Sequence, residues 1–229
     1  MKVVVFGASG MVGQGVVHAC LRDERVTEVV LVVRAPLGLS DPEVRQIVHQ
    51  DFTDFASLQG EFTGLDACFF CLGVSAAGLS EEEYVSVTHD VTLAAARVVA
   101  AAGPSVTFTY VSGEGTDSTE AGRSFWARVK GRTENELLAM DFHAYMFRPG
   151  YIRPMHGAVS RTAWYRWMYR ASSWLYPVLH RLAPGHTTTT DALGRAMIAV
   201  VGLGGTGPTV LDSRDINRLG APEGPGRPG

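Results

Sequence analysis

The apolar run Val3-Val4-Val5-Phe6 passes straight into Gly7-Ala8-Ser9-Gly10-Met11-Val12-Gly13, and this junction constrains the chain more than any other segment. Four adjacent apolar residues read as a strand buried on both faces, and Met11 to Cys20 reads as the helix that follows it. Glycines allow a sharp turn between the two and let a ligand approach the backbone. The free N–H groups at the helix start suit an anion such as a pyrophosphate. The spacing is G-x-x-G-x-x-G, not the G-x-G-x-x-G of the strict dinucleotide fingerprint, so position at the head of the chain carries the weight. A tight turn that binds nothing is the plainer alternative.

Further along, short β-rich runs alternate with helical patterns, which is the signature of a parallel sheet covered on both faces. Strands are expected at residues 2–6, 28–33, 46–50, 66–72, 106–112, 144–148 and 209–211. Ser80 with Glu83 forms a capping box before a long helix whose stripe runs Tyr84, Val87, Val91, Ala94, Ala95, Val98 and Ala102, and Gly103-Pro104 stops it. Further helices are expected at 125–140 and at 191–201, the latter capped by Asp191. The fold class is therefore α/β, a Rossmann-like doubly wound parallel sheet. One domain is expected over residues 1–220, with a small helical substrate region at 151–190 and a disordered Pro/Gly-rich tail at 221–229.

The chain has 229 residues, 46% apolar and 19% charged, enough to build a globular core. A net charge of −3 offers no general attraction to nucleic acid or to an anionic membrane. Met1-Lys2 leads directly into a core strand and no run spans a bilayer, so a cytoplasmic protein is expected. Cys68 and Cys71 sit three apart in a strand and face opposite sides of the sheet, so they read as core thiols, like Cys20, with no disulfide or metal between them. No His or carboxylate cluster has metal-ligand spacing.

Residues 161–182 break the alternation. Trp164, Trp167, Met168, Ala171, Leu175, Val178, Leu179 and Leu182 recur at helical spacing, with Pro177 expected to kink the helix. A cover over the carboxyl ends of the strands is the favoured reading, and packing in a homodimer interface is a second. A membrane-surface or protein-adaptor role is a third and is disfavoured.

If the glycine loop holds a dinucleotide, the end of the second strand meets the adenosine ribose. An acidic residue there would select NAD. The chain has Arg34, whose permanently charged planar fork suits a 2′-phosphate, so NADP(H) is the expected cofactor; a solvated surface arginine is the alternative. Asp51 closes the third strand, where it could accept from the adenine amino group, with Phe52 beside the ring. Cys71-Leu72-Gly73 closes the fourth. Their shared placement at carboxyl ends of strands is where open α/β sheets bind ligands.

Gly7-Ala8-Ser9-Gly10, Cys71-Leu72-Gly73, Tyr110-Val111-Ser112, Val129-Lys130-Gly131, Arg148-Pro149-Gly150 and Asp215-Ile216 occur in the order of a known family. The chain resembles the atypical or extended short-chain dehydrogenase/reductases, NAD(P)-binding and epimerase-like, with its nearest likeness in the group containing the human Tat-interacting oxidoreductase-like protein. The resemblance implies a Ser that orients a carbonyl, followed by Tyr-x-x-x-Lys, in which the tyrosine moves the proton and the lysine binds the nicotinamide ribose. Ser112 and Lys130 match; the tyrosine position is Trp126. It also implies cofactor contacts from Gly7, Ala8, Ser9, Gly10, Met11, Val12, Pro149 and Gly150.

Indole N–H only donates, so Trp126 cannot shuttle a proton. Three readings stay open. A water or another side chain, with Tyr151 and Tyr84 as candidates, supplies the proton; the acceptor is a quinone or conjugated system that needs no strong acid; or the protein binds NADP(H) without turnover, as a regulatory or scaffold module. A plain strand-end Ser112 and a solvated Lys130 are the unreactive alternative. Thr88-His89-Asp90 lies on the long helix, where neighbouring side chains diverge, so no dyad is expected there; His186 reads as a structural loop residue. A small-molecule substrate is expected.

Overall fold

The computed structural model describes residues 1–157 and 184–222. Its main sheet is built from β1 (Lys2–Phe6), β2 (Glu28–Val33), β3 (Val44–Val48), β4 (Ala67–Phe70), β5 (Thr107–Val111), β6 (His143–Arg148) and, last in the chain, β9 (Val210–Asp212). These seven strands lie in the order β3-β2-β1-β4-β5-β6-β9, and every pairing is parallel. A separate two-stranded parallel ribbon joins β7 (Tyr151–Arg153) to β8 (Thr187–Thr189). The helices are α1 (Met11–Cys20), α2 (Glu81–Val85), α3 (Val91–Ala100), α4 (Phe125–Leu138), α5 (Thr190–Val201) and α6 (Ser213–Leu219).

Alternation within the strands explains the two layers of core. Val3, Val5, Val29, Leu31 and Phe69 face α1 and α5, where they meet Val16, Cys20, Leu193 and Met197. Val4, Phe6, Val30, Cys68, Phe70 and Phe108 face the other way, toward Leu93, Ala96, Val99 and Leu137. Covering a parallel sheet on both faces in this way makes it the doubly wound sheet read from the sequence. Cys68 and Cys71 fall on opposite sides as expected, and all three thiols are free.

Four sequence expectations are corrected. The third strand begins two residues earlier than 46–50, where Val44 pairs with Val29 of β2, and Gln46 within it turns its amide back onto the 34–43 loop. There it accepts from the Leu37 N–H at 2.8 Å and donates to the carbonyls of Leu37 and Leu39 at 3.1 Å. The long helix is not continuous: Ser86–Asp90 form a π-helical turn between α2 and α3. The wider turn shifts the helical phase, exposing Val87 and burying Thr88 and His89. It also brings His89 Nδ1 to 2.7 Å from Asp90 Oδ1 and His89 Nε2 to 3.0 Å from Glu136 Oε1, so these side chains do meet. Finally, α5 is capped by Thr189, whose hydroxyl accepts from the Ala192 N–H at 3.0 Å, and Asp191 lies inside the first turn. The capping box of Ser80 and Glu83 is present as read.

The aromatic segment 161–182, most of the expected substrate region and nearly all of the tail lie outside the described residues.

Candidate active site

Two clefts open side by side at the carboxyl edge of the sheet. β1 and β4 are neighbours there although they are not consecutive, so the strand order reverses at this point, where α/β sheets bind ligands. The first cleft, about 220 Å³, is lined by Gly7, Ala8, Ser9, Arg34, Phe52 and Leu72 among others. The second, about 710 Å³, takes Ser112 and Glu114 from beyond β5, Pro149 and Gly150 from beyond β6, and Trp126 and Lys130 from α4. Leu72 lines one cleft and Val74 the other, with only Gly73 between them in the chain.

The glycine loop is built for close approach. Gly7 has φ +82°, and a Cβ there would stand 2.7 Å from the Cys71 carbonyl carbon and the Leu72 nitrogen. A Cβ on Gly13 would stand 2.1 Å from the Gly7 carbonyl oxygen, so α1 rests directly on the loop. Gly10 begins α1 with extended backbone and no side-chain cap, leaving the Met11 and Val12 turn to present backbone N–H groups toward an anion. The tight packing of Gly7 and Gly13 and the uncapped helix start together fit a bound pyrophosphate.

Arg34 stands exposed at the end of β2, its guanidinium carbon 5.9 Å from the Phe52 ring centroid. Phe52 thus walls the first cleft beside Arg34. Asp51 does not line that cleft; its carboxylate accepts from the Thr53 N–H at 2.9 Å and from the Thr53 hydroxyl at 2.5 Å, and these bonds hold it below the usual carboxylate range. Gly73 has open space where a Cβ would stand, so the fold itself does not require glycine there. Cys71 packs against the core, and burial pushes its thiol up to about 12.

In the second cleft Ser112, Trp126 and Lys130 come together as the sequence spacing implies. Lys130 donates to the Ser112 carbonyl oxygen. Burial lowers its ammonium to about 8, against an opposing pull from Glu134 one turn further along α4. The Ser112 hydroxyl is 2.5 Å from Glu134 Oε1 and 3.1 Å from the Phe147 carbonyl oxygen. Glu134 is fully buried and paired with Arg148, which also reaches the Ser118 hydroxyl. A carboxylate below a strand-end serine gives no signal in a single sequence, because Glu134 is one of two glutamates on this helix and nothing local says which faces inward.

Tyr84 and Tyr151 both line this cavity. Tyr84 is buried, with its ring edge-on to Phe125 at 5.8 Å. Glu114 and His186, joined by a hydrogen bond through His186 Nδ1, carry no site signal in the sequence. The residues are 72 apart in the chain, and only the pairing of β7 with β8 brings them together.

Residues 7–152 match the family model described as NAD(P)H-binding. The chain belongs to the NAD(P)H-binding family. A relative, leucinostatins biosynthesis cluster protein T of Purpureocillium lilacinum, is 25% identical over 98% of this chain and 91% of its own length. Solved structures share the fold of this NAD(P)H-binding chain. ADP-L-glycero-D-manno-heptose-6-epimerase of Helicobacter pylori superposes with TM-score 0.65 at 13% identity, over 94% of this chain and 79% of that one. The dTDP-glucose 4,6-dehydratase DesIV of Streptomyces venezuelae, with NAD bound, superposes with TM-score 0.62 at 18% identity over 96% and 80%. A short-chain dehydrogenase/reductase superfamily protein of Agrobacterium tumefaciens, also with NAD, gives 0.59 at 17% over 87% and 73%. Among the described residues no helix is long and apolar enough to cross a membrane, and no cluster of His, Cys, Asp or Glu could hold a metal ion.

Proposed function

We propose that the protein is an NADP(H)-dependent oxidoreductase that reduces a small carbonyl or conjugated acceptor, with Trp126 where related enzymes carry a tyrosine. The observation that carries this reading is the pair of adjoining clefts, one built from the glycine loop and the other holding Ser112 and Lys130. When bound, the reduced nicotinamide supplies a hydride. The protein's own residues do the rest. Gly7 to Val12 hold the pyrophosphate, Arg34 meets a 2′-phosphate, and Lys130 faces the nicotinamide ribose. Trp126 walls the acceptor cavity, from which water is to be excluded. Membership of the Tat-interacting-like group of reductases is part of the same proposal.

Ser112 would orient the acceptor carbonyl. Its hydroxyl lies within hydrogen-bond distance of both Glu134 and the Phe147 carbonyl oxygen, so orienting a substrate means giving up a bond it already makes. That commitment favours a second reading, an NADP(H)-binding regulatory module without turnover.

An equilibrium titration with NADPH and NADH decides the first step. Wild type is expected to bind NADPH more tightly, and Arg34→Ala to lose about 10- to 100-fold for NADPH while leaving NADH nearly unchanged, the size of one charged hydrogen bond. Binding of neither nucleotide sinks both readings. Nucleotide binding without reduction of any small aldehyde, ketone or quinone supports the silent module.

A further inference from the structure

Trp126 leaves the position four residues before Lys130 without a phenol to protonate a newly formed alkoxide, and the phenols that do line the cavity are Tyr84 and Tyr151. Tyr84 is buried within the core and held against Phe125. Glu114, by contrast, is an exposed acid that lines the cavity and belongs to a pair.

The pair is set by strand register. β7 begins directly after Gly150 and β8 directly after His186, and Tyr151 pairs with Thr187, so Gly150 and His186 lie side by side. The Glu114 N–H donates to the Pro149 carbonyl oxygen at 2.9 Å, which brings Glu114 over the same point. A Cβ on Gly150 would stand 2.3 Å from the His186 carbonyl oxygen and 2.5 Å from Glu114 Oε2. The two carboxylate oxygens therefore divide their work. Oε1 accepts from His186 Nδ1, and Oε2 lies over Gly150, itself a wall of the cavity. Because a carboxylate only accepts, Nδ1 carries the hydrogen, which leaves Nε2 of the exposed ring to exchange protons with solvent.

We propose that Glu114 and His186 form the proton relay of this cavity, carrying a proton from water to the reduced acceptor; this rests on the reductase reading above. The carbonyl carbon gains hydride from the reduced nicotinamide, a C–H bond forms, and the C=O π pair moves to oxygen. The Glu114 carboxylate takes the Nδ1 proton of imidazolium His186, and the neutral acid so formed gives that same proton to the new alkoxide oxygen, which leaves Glu114 a carboxylate again and His186 neutral. His186 regains its proton from water, so one carbonyl, one reduced nucleotide and one proton give one alcohol and one oxidised nucleotide.

The test uses the full-length protein, NADPH and 4-nitrobenzaldehyde as the probe acceptor. Glu114→Gln is expected to lower kcat/KM by about 10²-fold or more, the range of general acid catalysis, and His186→Gln to lower it less. NADPH affinity should stay within about twofold in both, since neither residue lines the nucleotide cleft. Added formate should restore turnover to Glu114→Ala. Independently of activity, ¹⁵N-histidine labelling should show a low-field Nδ1–H resonance for His186 that disappears in Glu114→Gln. Wild-type turnover in Glu114→Gln, or loss of turnover in Tyr151→Phe but not in Glu114→Gln, would overturn the relay. Failure of wild type to bind NADPH would instead overturn the reductase reading and the relay with it.

Discussion

The Ser112 hydroxyl lies 2.5 Å from a carboxylate oxygen of Glu134, a residue with no exposed surface, and that carboxylate is in turn paired with Arg148. Behind Ser112, where it lines the second cleft, lies a buried ionic network, so the serine is not isolated. In water such a pair is worth little; in the interior its two halves depend on each other, since either charge alone would be left unsolvated.

Glu134→Ala should therefore destabilise the protein by about 3–5 kcal/mol, because Arg148 loses its counter-charge in a largely buried setting. Ser112→Ala removes one donor to that carboxylate and leaves the ion pair intact, and should cost less, about 1.5–3 kcal/mol. Urea unfolding of the two variants reads the difference. Equal costs would mean that the ion pair does not hold this network together.

Lys130 should impose a pH signature on stability. Burial holds its folded-state value at about 8, against an ordinary 10.5. Below pH 8 the lysine is charged in both states, and the folded state bears the full cost of burying it. Between pH 8 and 10.5 the folded protein sheds the proton while the unfolded chain keeps it, so the cost fades as pH rises. Wild type should gain up to about 3 kcal/mol relative to Lys130→Met between pH 7 and pH 10. A stability difference that stays constant across that range, measured by urea unfolding at each pH, would sink the argument.

Gly13→Ala tests whether the loop geometry serves the nucleotide. The added Cβ would stand 2.1 Å from the Gly7 carbonyl oxygen, so either α1 or the loop must move. Overpacking of this kind costs about 1–3 kcal/mol, and NADPH binding should fall more than global stability does. Retention of wild-type NADPH affinity would show that the loop can shift without loss of its anion site.

Much of this architecture was legible because it rests on continuous apolar runs and local signals. Val3 to Phe6, Glu28 to Val33 and the Ser80–Glu83 box announce themselves within a few residues. What was not legible depends on backbone phase or on distant partners. The π-helical turn at Ser86–Asp90 has no composition of its own, yet it turns Val87 outward and His89 inward. Thr189 and Asp191 are both good capping residues, and only the backbone path after β8 decides between them. Ser112, Trp126 and Lys130 could be placed in one cavity because helix spacing fixes two of them and a strand end the third. Glu134 and His186 could not, since their partners come from β6 and from the loop beyond β5.

Trp126→Tyr links the site to the missing acid. A tyrosine here stands one helical turn before Lys130, so its phenol would project along the same face of α4 toward the ammonium. Gly115 packs against the Trp126 ring, since a Cβ at that glycine would stand 3.2 Å from the indole Cη2, and the smaller phenol would leave room for an acceptor. With Glu114 and His186 intact, the substitution should change 4-nitrobenzaldehyde reduction by no more than a few-fold. In a Glu114→Gln background it should recover about tenfold or more of the lost kcat/KM, because a phenol beside a lysine can give a proton that an indole cannot. The measurement is the ratio of kcat/KM in the double variant to that in Glu114→Gln alone. A ratio of one would mean that the position no longer faces the reacting oxygen, whatever side chain occupies it.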